Sequence, residues 1–158
     1  MAGSFFNVRD AVSGKQAKAF VKIGDRTEEL FYAKTLESTI EKTKVDVPTL
    51  GRTGTPQRSA GWKGTGTLTI YYVSSLFRKL MEDYVKNGTD FWFDLMITNE
   101  QPGSGAGKQT VFLRDCNLDS IIAAKFDASS EDMLEEEIPF TFEDYDVTES
   151  FNAIQPTN

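Results

Sequence analysis

Residues 34–47 read Lys34-Thr35-Leu36-Glu37-Ser38-Thr39-Ile40-Glu41-Lys42-Thr43-Lys44-Val45-Asp46-Val47, and their pattern decides the fold class. Six of the fourteen residues are β-branched, a type favoured in strands. Leu36, Ile40, Val45 and Val47 stand isolated among charged and hydroxyl side chains. Strand side chains alternate between two faces, so a run this polar leaves neither face apolar enough to rest on its own domain's core. Such a strand needs a partner surface or a wet channel beside it, because an uncovered edge is a site of uncontrolled pairing.

Working outward, Pro48 to Gly61 gathers Pro48, Gly51, Gly54 and Pro56 with Arg52 and Arg58, and reads as a long loop. Loops beyond about 12 residues without structure of their own are commonly functional. Trp62–Val73 returns as a strand in which Trp62, Leu68, Ile70 and Tyr72 share a parity with Gly64 and Gly66, glycines that admit a close neighbour. Upstream, Ala19–Ile23 and Glu28–Tyr32 form a hairpin about Gly24-Asp25-Arg26-Thr27. Downstream, Phe77, Leu80, Met81 and Tyr84 fall at helical spacing and predict a helix over Leu76–Lys86, with Ser74 or Ser75 as its cap and Asn87-Gly88 as its stop. Further strands are expected at Phe91–Thr98, Lys108–Leu118, Ser120–Phe126 and Glu137–Val147, with a flexible loop from Asn99 to Gly107. The sum is seven or eight strands and one helix. This predicts a mainly β fold, a sandwich or barrel with one flanking helix, in a single domain spanning 1–158 with arms at about 1–18 and 148–158.

Composition agrees. The chain has 158 residues with twelve Phe, five Tyr and two Trp, enough to build a core without disulfide or metal. With 24 acidic and 17 basic residues the net charge is -7, which repels phosphate backbones and excludes specific nucleic-acid binding in the absence of a basic block. The chain contains no histidine, which removes Ser-His-Asp and Cys-His catalysis and the commonest metal ligand. Cys116, the single cysteine, lies in a strand-like run and reads as a small buried hydrophobe. No stretch has the length and apolarity of a signal peptide or a membrane span, so a cytosolic site of folding is expected.

The motifs that invite a catalytic reading fail on spacing. Pro102-Gly103-Ser104-Gly105-Ala106-Gly107-Lys108-Gln109 imitates a phosphate loop, but the first glycine is Pro102, the magnesium-holding hydroxyl is Gln109, and a strand rather than a helix follows. Asp115-Cys116-Asn117-Leu118-Asp119 opens like a calcium loop, then places Ser120 where glycine is needed and Phe126 where a bidentate Glu belongs. The carboxylates of Glu135-Glu136-Glu137 and Glu143-Asp144-Tyr145-Asp146 read as a solvated edge or strand face. No catalytic residue, cofactor-binding residue or metal ligand is assigned.

Glu29-Leu30-Phe31-Tyr32-Ala33-Lys34, Gly51-Arg52-Thr53-Gly54, Gly61-Trp62-Lys63-Gly64-Thr65-Gly66 leading into Leu68-Thr69-Ile70-Tyr71-Tyr72, Cys116-Asn117-Leu118-Asp119-Ser120 and Phe140-Thr141-Phe142-Glu143-Asp144-Tyr145 follow one another in a characteristic order. In that order and spacing the chain resembles the tail tube protein family of contractile phage tails, in the form found in phage-like elements and tail-like bacteriocins of Gram-positive bacteria. The resemblance implies a structural subunit without enzymatic activity or cofactor. Its copies form hexameric rings that stack into a hollow tube, with sheath and baseplate proteins as further partners and passage of DNA through the lumen without specific binding. It places the chain in a virion or tail-like particle assembled in the bacterial cytoplasm. On this view Glu37, Thr39, Glu41, Thr43, Thr65 and Thr67 line the lumen wall, and Pro48, Gly51, Arg52, Gly54, Pro56 and Arg58 reach a neighbouring ring.

Three other readings are distinguishable. A β-sandwich glycan- or protein-binding module needs exposed aromatics along a groove, from Trp62, Trp92, Tyr71 and Tyr72, which are expected in core or interface positions. A paired-carboxylate hydrolase needs two acids facing each other at about 5–10 Å. A tube subunit of a bacterial contractile secretion system shares the assembly logic and differs in its partners.

Overall fold

A computed structural model describes residues 8–10, 17–100, 103, 105–129 and 131–153. In chain order its elements are a short 3-10 turn (Val8–Asp10), β1 (Ala17–Ile23), β2 (Arg26–Glu29), β3 (Ala33–Asp46), β4 (Gln57–Tyr71), α1 (Leu76–Asn87), β5 (Phe93–Glu100), β6 (Lys108–Leu118), β7 (Glu135–Phe142) and β8 (Asp144–Glu149). The mainly β class with eight strands and one helix is as expected. Two compact units share the chain, one of residues up to Phe31, 92–115 and from Asp144 on, the other of residues 32–91 and 116–143.

In the first unit Gly24, at φ 60°, turns the chain so that Ile23 pairs Arg26, and the strands then run β2-β1-β5-β6, with β8 on β6. Alternation along these strands sends Val21, Phe93, Leu95 and Leu113 into a common core. Arg114 gathers the outer side: its Nε donates to Asp146 Oδ2 at 3.0 Å, its Nη1 lies 3.6 Å from Asp94 Oδ2, and its guanidinium stacks 4.5 Å over the Phe112 ring. Its pKa is raised further, chiefly by the hydrogen bond to Asp146. Asp115 has φ 52° at the point where β6 changes partner, after Arg114 pairs Asp144 of β8 and before Asn117 pairs Thr141 of β7. Its amide donates to Asp94 Oδ1 at 3.1 Å.

In the second unit the ladder order is β6-β7-β4-β3, all antiparallel. Leu68, Ile70, Phe77, Cys116, Leu118, Ile138, Phe140 and Phe142 are buried together, so Cys116 is the buried hydrophobe that the sequence predicts. Helix α1 contributes Phe77 to this core, with Leu80 and Met81 half-buried beside it and Tyr84 exposed. Ser75 occupies the N-cap position without a side-chain bond, while Ser74 Oγ accepts from the Leu76 amide at 3.3 Å. Gly88 closes the helix in the left-handed conformation and donates to Tyr84 O. Arg78 ties α1 to the sheet through Glu136 Oε2 at 2.7 Å, donates to Ser74 O, and lies 4.3 Å from the Tyr72 ring centre.

Several boundaries differ from expectation. The loop after β3 covers only 47–56, because Gln57, Arg58 and Ser59 pair with β3 and extend β4. Ser120–Phe126 is not a strand: Ile121 and Ile122 are adjacent apolar residues without alternation, and the Lys125 amide donates to Tyr72 Oη at 3.2 Å. Glu137–Val147 is two strands separated at Glu143. β5 begins after Trp92, and just before it the Asn117 side-chain amide donates to Asp90 Oδ1 and Phe91 O. Glu136, expected on a solvated face, is only 2% exposed because alternation turns it inward between Glu135 and Glu137. Trp62, Trp92 and Tyr71, expected in core or interface positions, are not in the core of the single chain, at 45%, 51% and 37% exposed. Most of the expected N-terminal arm and residues 154–158 of the C-terminal one lie outside the described residues, and β8 runs into the latter as far as Glu149. Of the C-terminal one, the Asn152 amide donates to Ala106 O at 2.7 Å.

Candidate assembly interface

The register of β4 sorts the second unit into two faces. Trp62, Gly64, Gly66, Leu68 and Ile70 share one face with Lys42, Ile40, Ser38 and Leu36 of β3, and Gly64, Gly66, Leu68 and Ile70 lie opposite Phe142, Phe140, Ile138 and Glu136 of β7. Both glycines are required there. A Cβ on Gly64 would enter the Phe142 ring and one on Gly66 the Phe140 ring. Phe142 continues the stack with Trp62 at 6.1 Å and Phe140 at 6.5 Å between ring centres. The close neighbour foreseen at these glycines is thus a row of aromatic side chains.

The opposite face carries Lys63, Thr65, Thr67 and Thr69 of β4 against Glu41, Thr39, Glu37 and Thr35 of β3. Glu137, Pro139 and Thr141 of β7 complete it, and Asn117 of β6 lies opposite Thr141. Glu37, Thr39, Thr65 and Thr67 therefore come together, around a shallow depression of about 310 Å³ shared with Asp119 and Pro139. Glu41 lies farther along the same face, and Thr43 sits opposite a bulge in which Ala60 and Gly61 occupy the space of one residue. This face presents hydroxyls and carboxylates over four strands, with Lys63 opposite Glu41, and no large apolar side chain. Residues 117, 137 and 141 belong to it but were not legible as site residues, since nothing local links them to β3. The alternation of Glu135, Glu137 and Thr141 was the one available signal.

Beyond Gly64 the sheet narrows to two strands. Pairing of β4 with β7 begins at Gly64 opposite Phe142, whereas β3 and β4 continue paired to Asp46 opposite Gln57. Residues 41–46 and 57–63 thus form a ribbon with no third strand among the described residues, and every residue of it is exposed. Val45 and Trp62 are 48% and 45% exposed on it, and Leu50 at its tip is 99% exposed. Pro48, Gly51, Arg52, Gly54 and Pro56 occupy the loop. Arg58 does not: it pairs with Val45 inside the ribbon. Two-stranded ribbons are marginally stable alone in water. This one pairs residues 41–46 with 57–63 and is exposed along its whole length.

At the other end of the same ladder, Lys34 Nζ bonds Glu135 Oε1 at 2.6 Å, and this hydrogen bond, with the attraction behind it, raises the lysine pKa.

Comparison with known proteins gives the context of this arrangement. A sequence-family model described as phage tail tube protein matches residues 4–149. The chain is 43% identical to the phage-like element PBSX protein XkdM of Bacillus subtilis over 144 residues, covering 91% of this chain and 95% of that protein. Among solved structures it is similar to a chain of the anti-feeding prophage tube-terminating cap, with a TM-score of 0.67 at 13% identity over 90% of this chain and 94% of the other. It is also similar to a chain of the PVC extracellular contractile injection system sheath-tube complex in the extended state, with a TM-score of 0.65 at 15% identity over 89% and 93%.

Proposed function

The chain belongs to the phage tail tube protein family, and from that premise we propose that it is the structural subunit of the inner tube of a contractile tail or tail-like particle, whose copies form stacked hexameric rings. The observation that carries this reading is the β3–β4 ladder, which has one Thr/Glu face and, beyond Gly64, no third strand among the described residues. Ring closure supplies the missing neighbours and removes the open edge. The face of Glu37, Thr39, Glu41, Thr65 and Thr67 then lines the lumen with Thr43 beside it. Its carboxylates let a polyanion slide through without adhering. The loop of Pro48, Gly51, Arg52, Gly54 and Pro56 reaches the adjacent ring, with Arg58 in the ribbon behind it. The subunit performs no catalysis, and sheath and baseplate proteins are its other partners in the particle. It also forms one tail tube domain.

Negative-stain electron microscopy of the purified protein across a concentration series, with light scattering alongside, tests the reading. Hollow rings or tubes of uniform width are the expected result. A protein that stays monomeric at every concentration, and also when sheath and baseplate proteins are added, overturns it.

A further inference from the structure

The two ends of the β3–β4 ladder are chemically complementary. At one end is the loop 47–56, whose single charged residue is Arg52 and whose tip carries Leu50, 99% exposed, beside Val47, 43% exposed. At the other end, beside Lys34 and Tyr71, an open pocket of about 550 Å³ is lined by Asp127, Asp132, Met133 and Glu135 among others. Around it Phe126, Met133 and Val73 are 87%, 78% and 72% exposed. The sequence 125–135, which supplies Lys125, Asp127, Asp132, Met133, Leu134 and Glu135 to its lining, holds four carboxylates, Asp127, Glu131, Asp132 and Glu135, against one lysine, Lys125. Lys34 and Glu135 neutralise each other through their ion pair, and Lys125, whose Nζ donates to the Glu135 carbonyl, stands against Asp127 and Asp132 in the lining, which leaves the pocket net negative. Isolated exposed apolar side chains are ordinary on a protein surface. Here Leu50, Phe126 and Met133, among the most exposed of them, lie at the two ends of one ladder, with positive charge at one and negative charge at the other.

We infer that the loop tip of one copy docks into this pocket of a second copy, with Leu50 against Met133 and Phe126 and Arg52 toward Asp127 and Asp132. The occupant is the same chain, because pocket and loop terminate the same pair of strands. A strand of 14 residues spans about 45 Å at about 3.3 Å per residue. Displacing a copy along the strands by about that length brings tip to pocket. The contact is head-to-tail and leaves an unused tip and an unused pocket at the two ends, which makes growth open-ended. This inference rests on the tube reading and adds to it the surface that receives the loop.

Cysteine cross-linking between two single variants, Leu50→Cys and Met133→Cys, mixed under mild oxidation, tests it. A disulfide requires Cβ atoms about 3.5–4.5 Å apart. The expected result is a mixed 50–133 dimer formed at least about tenfold faster than the dimer of Leu50→Cys with Val85→Cys on α1. Alongside, Arg52→Glu is expected to raise the concentration needed for tube growth about tenfold, and Arg52→Glu with Asp132→Arg to restore much of the loss. Circular dichroism of each variant separates a docking defect from misfolding. Wild-type tubes without a preferential 50–133 cross-link overturn the docking and leave the tube reading standing. A protein that forms no tube and no cross-link overturns both.

Discussion

Gly64 and Gly66 are glycines because Phe142 and Phe140 lie across them. A side chain at either position overpacks a ring that is itself buried, a change that costs about 1–3 kcal/mol. Gly64→Ala is expected to lower the unfolding free energy by that order in urea titration, and Gly64→Ala with Phe142→Ala to cost less than the two changes summed. Arg78 and Glu136 show the same dependence in electrostatic form. Glu136 is 2% exposed and bonded to Arg78 at 2.7 Å, so Arg78→Ala leaves a buried carboxylate uncompensated and costs about 3–5 kcal/mol. Arg78→Met combined with Glu136→Leu removes both charges and is expected to recover most of that loss in the same titration. Lys34 gives a pH dependence. Its folded pKa is raised above 10.5 by Glu135, so its contribution to stability is fully present below 10.5 and is lost as pH rises through the folded value. In an alkaline unfolding series Lys34→Met is expected to be the less stable protein below pH 10.5, the difference closing above it.

The element that distinguishes this fold is the β3–β4 ribbon. Its proximal part, 64–71 of β4, is held on both sides by β3 and β7, while the distal part has only the mutual pairing of its two strands. Local opening is easiest where few buried apolar contacts accompany the backbone bonds. In the free subunit, amide exchange of 41–46 and 57–63 is therefore expected to run about tenfold or more faster than that of 66–70. Exchange measured on the assembled particle is expected to show the distal part protected to the same degree as the proximal part. Equal exchange rates in the free subunit would mean that the ribbon is already supported within its own chain. Much of this element was legible: a long, two-sidedly polar strand and a glycine-bearing partner predict a ladder that its own core cannot cover. Its length was not. Gln57-Arg58-Ser59-Ala60-Gly61 has no alternation of its own, and it becomes strand because β3 lies beside it.

For the whole molecule, a net charge of -7 makes copies repel one another before any specific contact forms. Salt screens that repulsion over a Debye length of about 10 Å at 0.1 M. The initial rate of scattering growth is thus expected to rise several-fold between about 10 mM and about 150 mM salt. A rate that falls instead would show that opposite-charge contacts dominate encounter.

Patterns with a period of two or of 3.6 residues are written in neighbouring positions, and the sequence alone determined what they encode: the β class, α1 with its Gly88 stop, the hairpin at Gly24, the inward Cys116, and the parity of Thr65 and Thr67 against Gly64 and Gly66. Tertiary structure alone decided which strands meet. It set Arg78 on Glu136 across 58 positions and Lys34 on Glu135 across 101, turned Glu136 inward, brought Glu137 and Thr141 to the face of Glu37 and Thr39, and ended β7 short of the ribbon. The physical reason is that an antiparallel partner is chosen by side-chain packing and burial between segments far apart in the chain, and no local period records that choice.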